Sequence, residues 1–179
     1  DEASLTEHLD NPALQGPHNQ QNSTAARAIC RQFGLTDTVI NKAIQSFAGL
    51  PHRLQPAGHF RQIRFINDSK ATNGEAAAKA LASFSQIHWC AGGLAKEGGL
   101  SACLPYLENV SHGYFYGQCK EDFAEAVKSR INVSQHDTLE QAVQAAAEEA
   151  GQHPSDEQVI LLAPAAASFD QFASFEARG

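Results

Sequence analysis

From residue 19 onward, apolar positions recur with the spacing of regular structure. Ala25, Ala26, Ile29, Cys30 and Phe33 fall at helical intervals, with Asn19 or Asn22 available as a cap and Gly34 as a stop. A second helix follows from Thr36, with Val39, Ile40, Ala43, Ile44 and Phe47 on one face and Gly49 beyond its end. Two helices joined by so short a turn form a hairpin, which needs a surface to pack on. The residues up to Pro17 show little periodicity and read as the tail of something preceding, so a truncated chain is expected.

The pattern changes at Leu50-Pro51-His52-Arg53, where proline ends helical structure. Extended segments around Arg53 to Pro56 and Phe60 to Ile66 flank Ala57-Gly58, which suits an antiparallel turn. Helices and strands then alternate. The spacing predicts a helix over 75–82, a strand over 87–91, a short helix within 100–107, a strand over 113–116 and a helix over 120–129. A weak strand over 131–134, a helix over 139–150 capped by Thr138, a strand over 159–163 and a terminal helix over 169–176 complete the series. Such alternation implies right-handed crossovers, so the predicted fold class is α/β: a Rossmann-like three-layer domain with a mostly parallel sheet, preceded by the helical segment. Val159-Ile160-Leu161-Leu162-Ala163 is wholly apolar, as expected of a strand covered on both faces.

The 179 residues suffice for one large or two small domains, and 42% hydrophobic content supports a buried core. A formal charge of -7 argues against nucleic-acid or anionic-membrane partners, which need clustered Lys and Arg. No long apolar run or basic-then-apolar leader is present, so a cytoplasmic protein is expected. Cys30, Cys90, Cys103 and Cys119 are widely spaced, and the eight histidines show no HExxH pairing. Free thiols and no metal site follow.

Three loops after predicted strands carry the candidate chemistry. Asn67-Asp68-Ser69-Lys70-Ala71-Thr72-Asn73 is polar except for Ala71; Asp68, Ser69 and Thr72 either serve a ligand or cap the next helix. Gly92-Gly93-Leu94-Ala95-Lys96-Glu97-Gly98-Gly99 offers backbone access and a cation for phosphate or carboxylate, or is plain turn chemistry; it is neither a Walker motif nor GxGxxG. Ser168 falls at the predicted start of the last helix, as an anion ligand or as a cap. The parallel topology places all three loops on one sheet edge.

These strings resemble the Mur ligase family, and within it the members that add D-glutamate. The resemblance rests on residues 67–73, on Gly49-Leu50-Pro51-His52-Arg53, on Gly92-Gly93 with Lys96, and on Ala167-Ser168 with Asp170-Gln171-Phe172. His18-Asn19-Gln20-Gln21-Asn22 is similar to the His-Asn-x-x-Asn segment near the end of that family's central ATPase domain, so the likeness runs from His18 to Gly179. It implies that residues 1–49 are a helical remnant of the central ATPase domain and that 50–179 are the C-terminal Rossmann-like domain. It implies ATP, D-glutamate and UDP-N-acetylmuramoyl-L-alanine as partners, with Mg2+ in the complete enzyme, no cofactor bound by this portion alone, and a monomer.

By the same resemblance Asn19 and Asn22 lie at adenine, Arg53 and Asp68 meet the nucleotide, and Lys70 adds charge near the phosphates unless it is a solvated loop lysine. Lys96 and Ser168 hold the side-chain carboxylate of D-glutamate, Thr72 bonds a carboxylate, and Phe175 contacts the substrate. No catalytic or metal-binding residue is implied within this chain. Ala163 stands where the family often has serine, and Phe169 where it often has leucine; both bear on the amino-acid pocket. The alternatives are a non-catalytic Rossmann-like module that binds an amino acid or nucleotide, and a sister ligase with another amino acid.

Overall fold

A computed structural model describes residues 11–152 and 157–179. The aperiodic residues 1–10 lie outside the described set. After a short 3-10 turn, Pro12–Leu14, come helices α1 (Pro17–Gln32) and α2 (Asp37–Ser46). Then follow β1 (Gln55–Phe60), β2 (Ile63–Asn67), α3 (Gly74–Leu81), β3 (Ile87–Gly92), β4 (Leu94–Ala95) and a 3-10 segment, Ser101–Asn109. The chain continues through β5 (Val110–Tyr116), α4 (Lys120–Val127), β6 (Asn132–His136), α5 (Leu139–Ala150), β7 (Gln158–Leu162), β8 (Ala166–Ala167) and α6 (Phe175–Arg178).

One six-stranded sheet has the order β1-β2-β7-β3-β5-β6, and only β1 pairs antiparallel with its neighbour. The predicted mostly parallel sheet is therefore present. Alternation along the central strands sends side chains into two separate cores. Trp89, Phe115, Val159 and Leu161 join α3, the 3-10 segment and α4 on one face, while Cys90, Tyr114, Tyr116 and Ile160 meet α5 on the other. Small side chains at Ala142, Ala146 and Ala150 let α5 approach the sheet closely on that face. Thr138 caps α5 as expected, accepting from the Gln141 amide.

Several expectations are corrected. Ala57-Gly58 is not the hairpin turn: both residues lie within β1, where the register slips between Pro56 and Gly58. The chain instead reverses at Arg61-Gln62, with Arg61 at φ 55. Asn19 and Asn22 do not cap α1, which begins at Pro17 behind Gly16. The terminal helix is confined to Phe175–Arg178, because Ala166–Ala167 are held extended against Leu94–Ala95 and the chain must turn before a helix can start. Ser174, not Ser168, is its cap.

The four cysteines are unpaired, and burial pushes the Cys90, Cys103 and Cys119 thiols up to about 12, where they are inert packing groups. Trp89 is fully buried, meets Phe115 edge to face, and donates its indole N–H to the Ala163 carbonyl at 2.8 Å. That bond joins the core to the loop after β7. Trp89→Phe keeps the ring but leaves the carbonyl without this donor, so chemical denaturation should show a loss of about 1–3 kcal/mol; an unchanged midpoint would refute the role given to this bond.

Candidate functional site

Because β2, β7, β3, β5 and β6 run in parallel, their carboxyl ends form one edge. Asn67 lies opposite Leu162, Gly92 opposite Tyr116, and Tyr116 opposite His136. Polar loops leave β2, β3 and β7 on this edge, where open α/β sheets place ligands. The antiparallel β1 brings the preceding segment to the same place, since Gln55 pairs with Asn67. In that segment His52 and Leu54 adopt φ of 60 and 40, a left-handed backbone that non-glycine residues seldom hold.

A buried arginine ties the edge together. Arg178 is 5% exposed and donates Nη2 to the Ser69 carbonyl at 2.9 Å, Nε to Ser69 Oγ at 3.0 Å, and Nη1 to the carbonyls of Ala166 at 3.0 Å and Gly92 at 3.4 Å. Burial lowers its pKa, while the Tyr116 hydroxyl and the Asp170 carboxylate oppose that shift. An arginine stays charged under such pressure. Ser69 Oγ donates to the Phe175 carbonyl at 2.8 Å, and Asn67 Nδ2 donates to the Gly179 carbonyl at 2.8 Å, so α6 is bound to the loop after β2 at several points. Sequence reasoning missed Arg178 because nothing in Glu176-Ala177-Arg178-Gly179 distinguishes it from a solvated arginine.

The loop after β2 does not cap α3 through Asp68, Ser69 or Thr72. Asn73 does so, its Oδ1 accepting from the Ala76 amide at 2.8 Å. Ser69 is committed to Arg178 and α6. Asp68 is 9% exposed and accepts from the Leu54 amide at 3.1 Å. Burial pushes its carboxyl up to about 6, with the Leu54 amide and the Arg53 charge acting the other way.

Asp68 faces a cleft of about 580 Å³ between α1, the Phe47 to Leu54 segment and α3. Asn19, Asn22, Arg53 and Lys70 line it as well, so all five residues expected at ATP share one cavity. Asn19 and Asn22 are three apart on α1, which puts both on one helix face. The volume falls within the range of small-molecule and cofactor sites.

The four residues expected at D-glutamate are less concentrated. Ser168 is buried, Thr72 and Phe175 are half-buried, and Lys96 is exposed with no ion pair among the described residues. Antiparallel pairing of β4 with β8 sets Lys96 just past the Ala95–Ala166 pair and Ser168 just past Leu94–Ala167, at opposite ends of the ladder. Gly92 and Gly93 make the approach possible, since a Cβ at either would collide with the Tyr116 or Ala167 carbonyl. Phe175 instead meets the first group: the Lys70 ammonium lies 3.7 Å from its ring centroid.

The layout defines a Rossmann-like α/β domain that presents loops carrying polar groups at a strand edge. Solved structures share this fold: UDP-N-acetylmuramate-alanine ligase of Thermotoga maritima aligns with TM-score 0.64 at 17% identity over 84% of this chain and 35% of its own. Bifunctional folylpolyglutamate synthase/dihydrofolate synthase of Yersinia pestis aligns with TM-score 0.59 at 21% identity over 96% and 39%. Residues 52–166 match the model of the Mur ligase, glutamate ligase domain, and the chain belongs to that family. It is 46% identical over 180 residues to UDP-N-acetylmuramoylalanine--D-glutamate ligase of Zymomonas mobilis, covering 100% of this chain and 40% of that protein. The enzyme of the same name from Cereibacter sphaeroides is 51% identical over 171 residues, covering 94% and 35%. The chain thus spans well under half the length of these relatives.

A carboxyl whose pKa is raised on folding favours the folded state most at low pH. Its contribution is fully present below the ordinary value of 3.8 and is lost as pH rises through about 6. Asp68→Asn retains an acceptor for the Leu54 amide and removes the buried charge. The variant should melt above the native chain at neutral pH, with the difference shrinking toward pH 3.8. A variant that melts lower at neutral pH would contradict the buried-charge account.

Proposed function

We propose that this chain is the portion of an ATP-dependent amide-bond-forming ligase that presents D-glutamate and closes over ATP while D-glutamate is joined to UDP-N-acetylmuramoyl-L-alanine in peptidoglycan synthesis. The observation that carries the reading is the shared cleft of Asn19, Asn22, Arg53, Asp68 and Lys70, found in a chain so similar to proteins named for this ligase activity.

In the proposed reaction, a carboxylate oxygen of the acceptor attacks the γ-phosphorus of ATP and ADP leaves. The D-glutamate nitrogen then attacks the acyl carbon, phosphate departs, and the ammonium proton goes to solvent or base. Such chemistry needs placement and charge stabilisation above all. Asn19 and Asn22 supply amides for the adenine edge; Arg53 and Lys70 supply cations for phosphate oxygens. Asp68 accepts from ribose hydroxyls, and a hydroxyl donor there would relieve part of its burial penalty. Thr72, Lys96 and Ser168 offer donors to the two carboxylates of D-glutamate, with Phe175 against its carbon chain.

Residues 1–49 form the closing helices of the ATPase domain in this reading, and residues 50–179 form the amino-acid domain. The ligase would act as a cytoplasmic monomer; no described helix is long and apolar enough to cross a membrane.

Phosphate release by the complete polypeptide carrying this domain tests the reading: it should require ATP, UDP-N-acetylmuramoyl-L-alanine and D-glutamate together, and turnover with another amino acid in preference would defeat it. Lys96→Ala should raise the KM for D-glutamate about tenfold or more while changing that for ATP little, the loss expected of one charge-assisted contact. Equal effects on both KM values would sink the role of Lys96.

A further inference from the structure

Lys70 touches two sites at once. Its side chain lines the cleft, and its ammonium sits 3.7 Å from the centroid of Phe175. The backbone on either side is fixed: the Lys70 amide donates to the His52 carbonyl at 3.1 Å, and the Lys70 carbonyl accepts from the Thr72 amide at 2.8 Å. The ring is fixed too. Ser69 Oγ holds the Phe175 carbonyl, Arg178 anchors the other end of the same helical turn, and the His52 ring meets Phe175 edge-on with centroids 6.0 Å apart. Glu176 also lies within electrostatic reach of Lys70. Within this frame the lysine side chain has the freedom to change partner, and the cleft offers the cationic company of Arg53 to an anion.

We propose that Phe175 is the positioning residue of Lys70: its ring holds the ammonium while the cleft lacks phosphate, and a polyphosphate draws the ammonium away and uncovers the ring for the amino acid. This rests on the ligase reading above and adds a link between its two ligands. A cation on a ring face is held weakly compared with a cation on a phosphate, so the exchange runs toward the nucleotide. Nucleotide binding must break the Lys70–Phe175 contact, and the freed ring face then favours D-glutamate. By linkage the coupling is reciprocal, so each ligand tightens the other.

The test uses the complete polypeptide carrying this domain. In its free form the Lys70 ε-methylene proton resonances should lie upfield, as expected over an aromatic ring, and should move downfield on adding a non-hydrolysable ATP analogue but not on adding adenosine. Phe175→Leu should bind the analogue about threefold tighter, since the competing cation–π contact is gone, and should lose the effect of analogue on D-glutamate affinity. Phe175→Tyr should restore both. A purely structural role for Phe175 predicts weaker binding of both ligands in Phe175→Leu, and that result would overturn the proposal. So would a Lys70 resonance that stays upfield with the analogue bound.

Should Phe175→Leu fail to fold, Lys70→Met serves instead: it should lose analogue affinity while D-glutamate affinity without nucleotide holds or rises, and a fall in the latter would contradict the proposal. If the native protein binds neither analogue nor D-glutamate, the ligase reading itself fails; binding of both with an unmoved Lys70 resonance defeats the link alone.

Discussion

The guanidinium of Arg178 is the constraint on which the functional edge depends. A charge 5% exposed is costly unless its donors are met, and here they are met by carbonyls of Ser69, Gly92 and Ala166 and by the Ser69 hydroxyl. Those acceptors lie in the loop after β2, at the end of β3 and in β8, beyond β7. The buried guanidinium therefore links the three places through its own hydrogen bonds. The desolvation cost thereby becomes a condition on loop geometry.

Other features follow from that arrangement. With Ser69 committed to Arg178, Asp68 and Lys70 on either side of it are directed elsewhere: the first to the Leu54 amide and the cleft, the second to the cleft and the Phe175 ring. The same helical turn carries both Phe175 and Arg178, so the element that seals the loops also supplies the aromatic surface between the proposed ligand sites. Asp68 remains a buried carboxyl facing an open cleft. That is a stability cost located where a ligand with hydroxyl donors would offset it.

The sheet and its flanking helices were legible because two short-range rules govern them. Burial on both faces marks β3 and β7, and a hydroxyl cap followed by a 3.6-residue apolar stripe marks α5, whose bounds agree with expectation. The hairpin turn was misplaced because Gly58 suggests a turn locally, yet pairing with Phe65 draws it into the ladder. The terminal helix was overextended for a related reason: residues 166–167 pair with Leu94–Ala95, a contact invisible to local propensity. The candidate residues were found as loops and by likeness. Their gathering into one cleft, and the part played by Arg178, depend on contacts across about a hundred positions, such as the separation of 109 between Ser69 and Arg178. No periodicity encodes these.

If one buried charge makes three loops a single unit, amide hydrogen exchange in the native protein and in Arg178→Met should show loops 67–72, 92–99 and 164–172 losing protection together in the variant, while α5 and β6, which lie away from the guanidinium, keep theirs. Loops that remain protected, or that open one without the others, would contradict it.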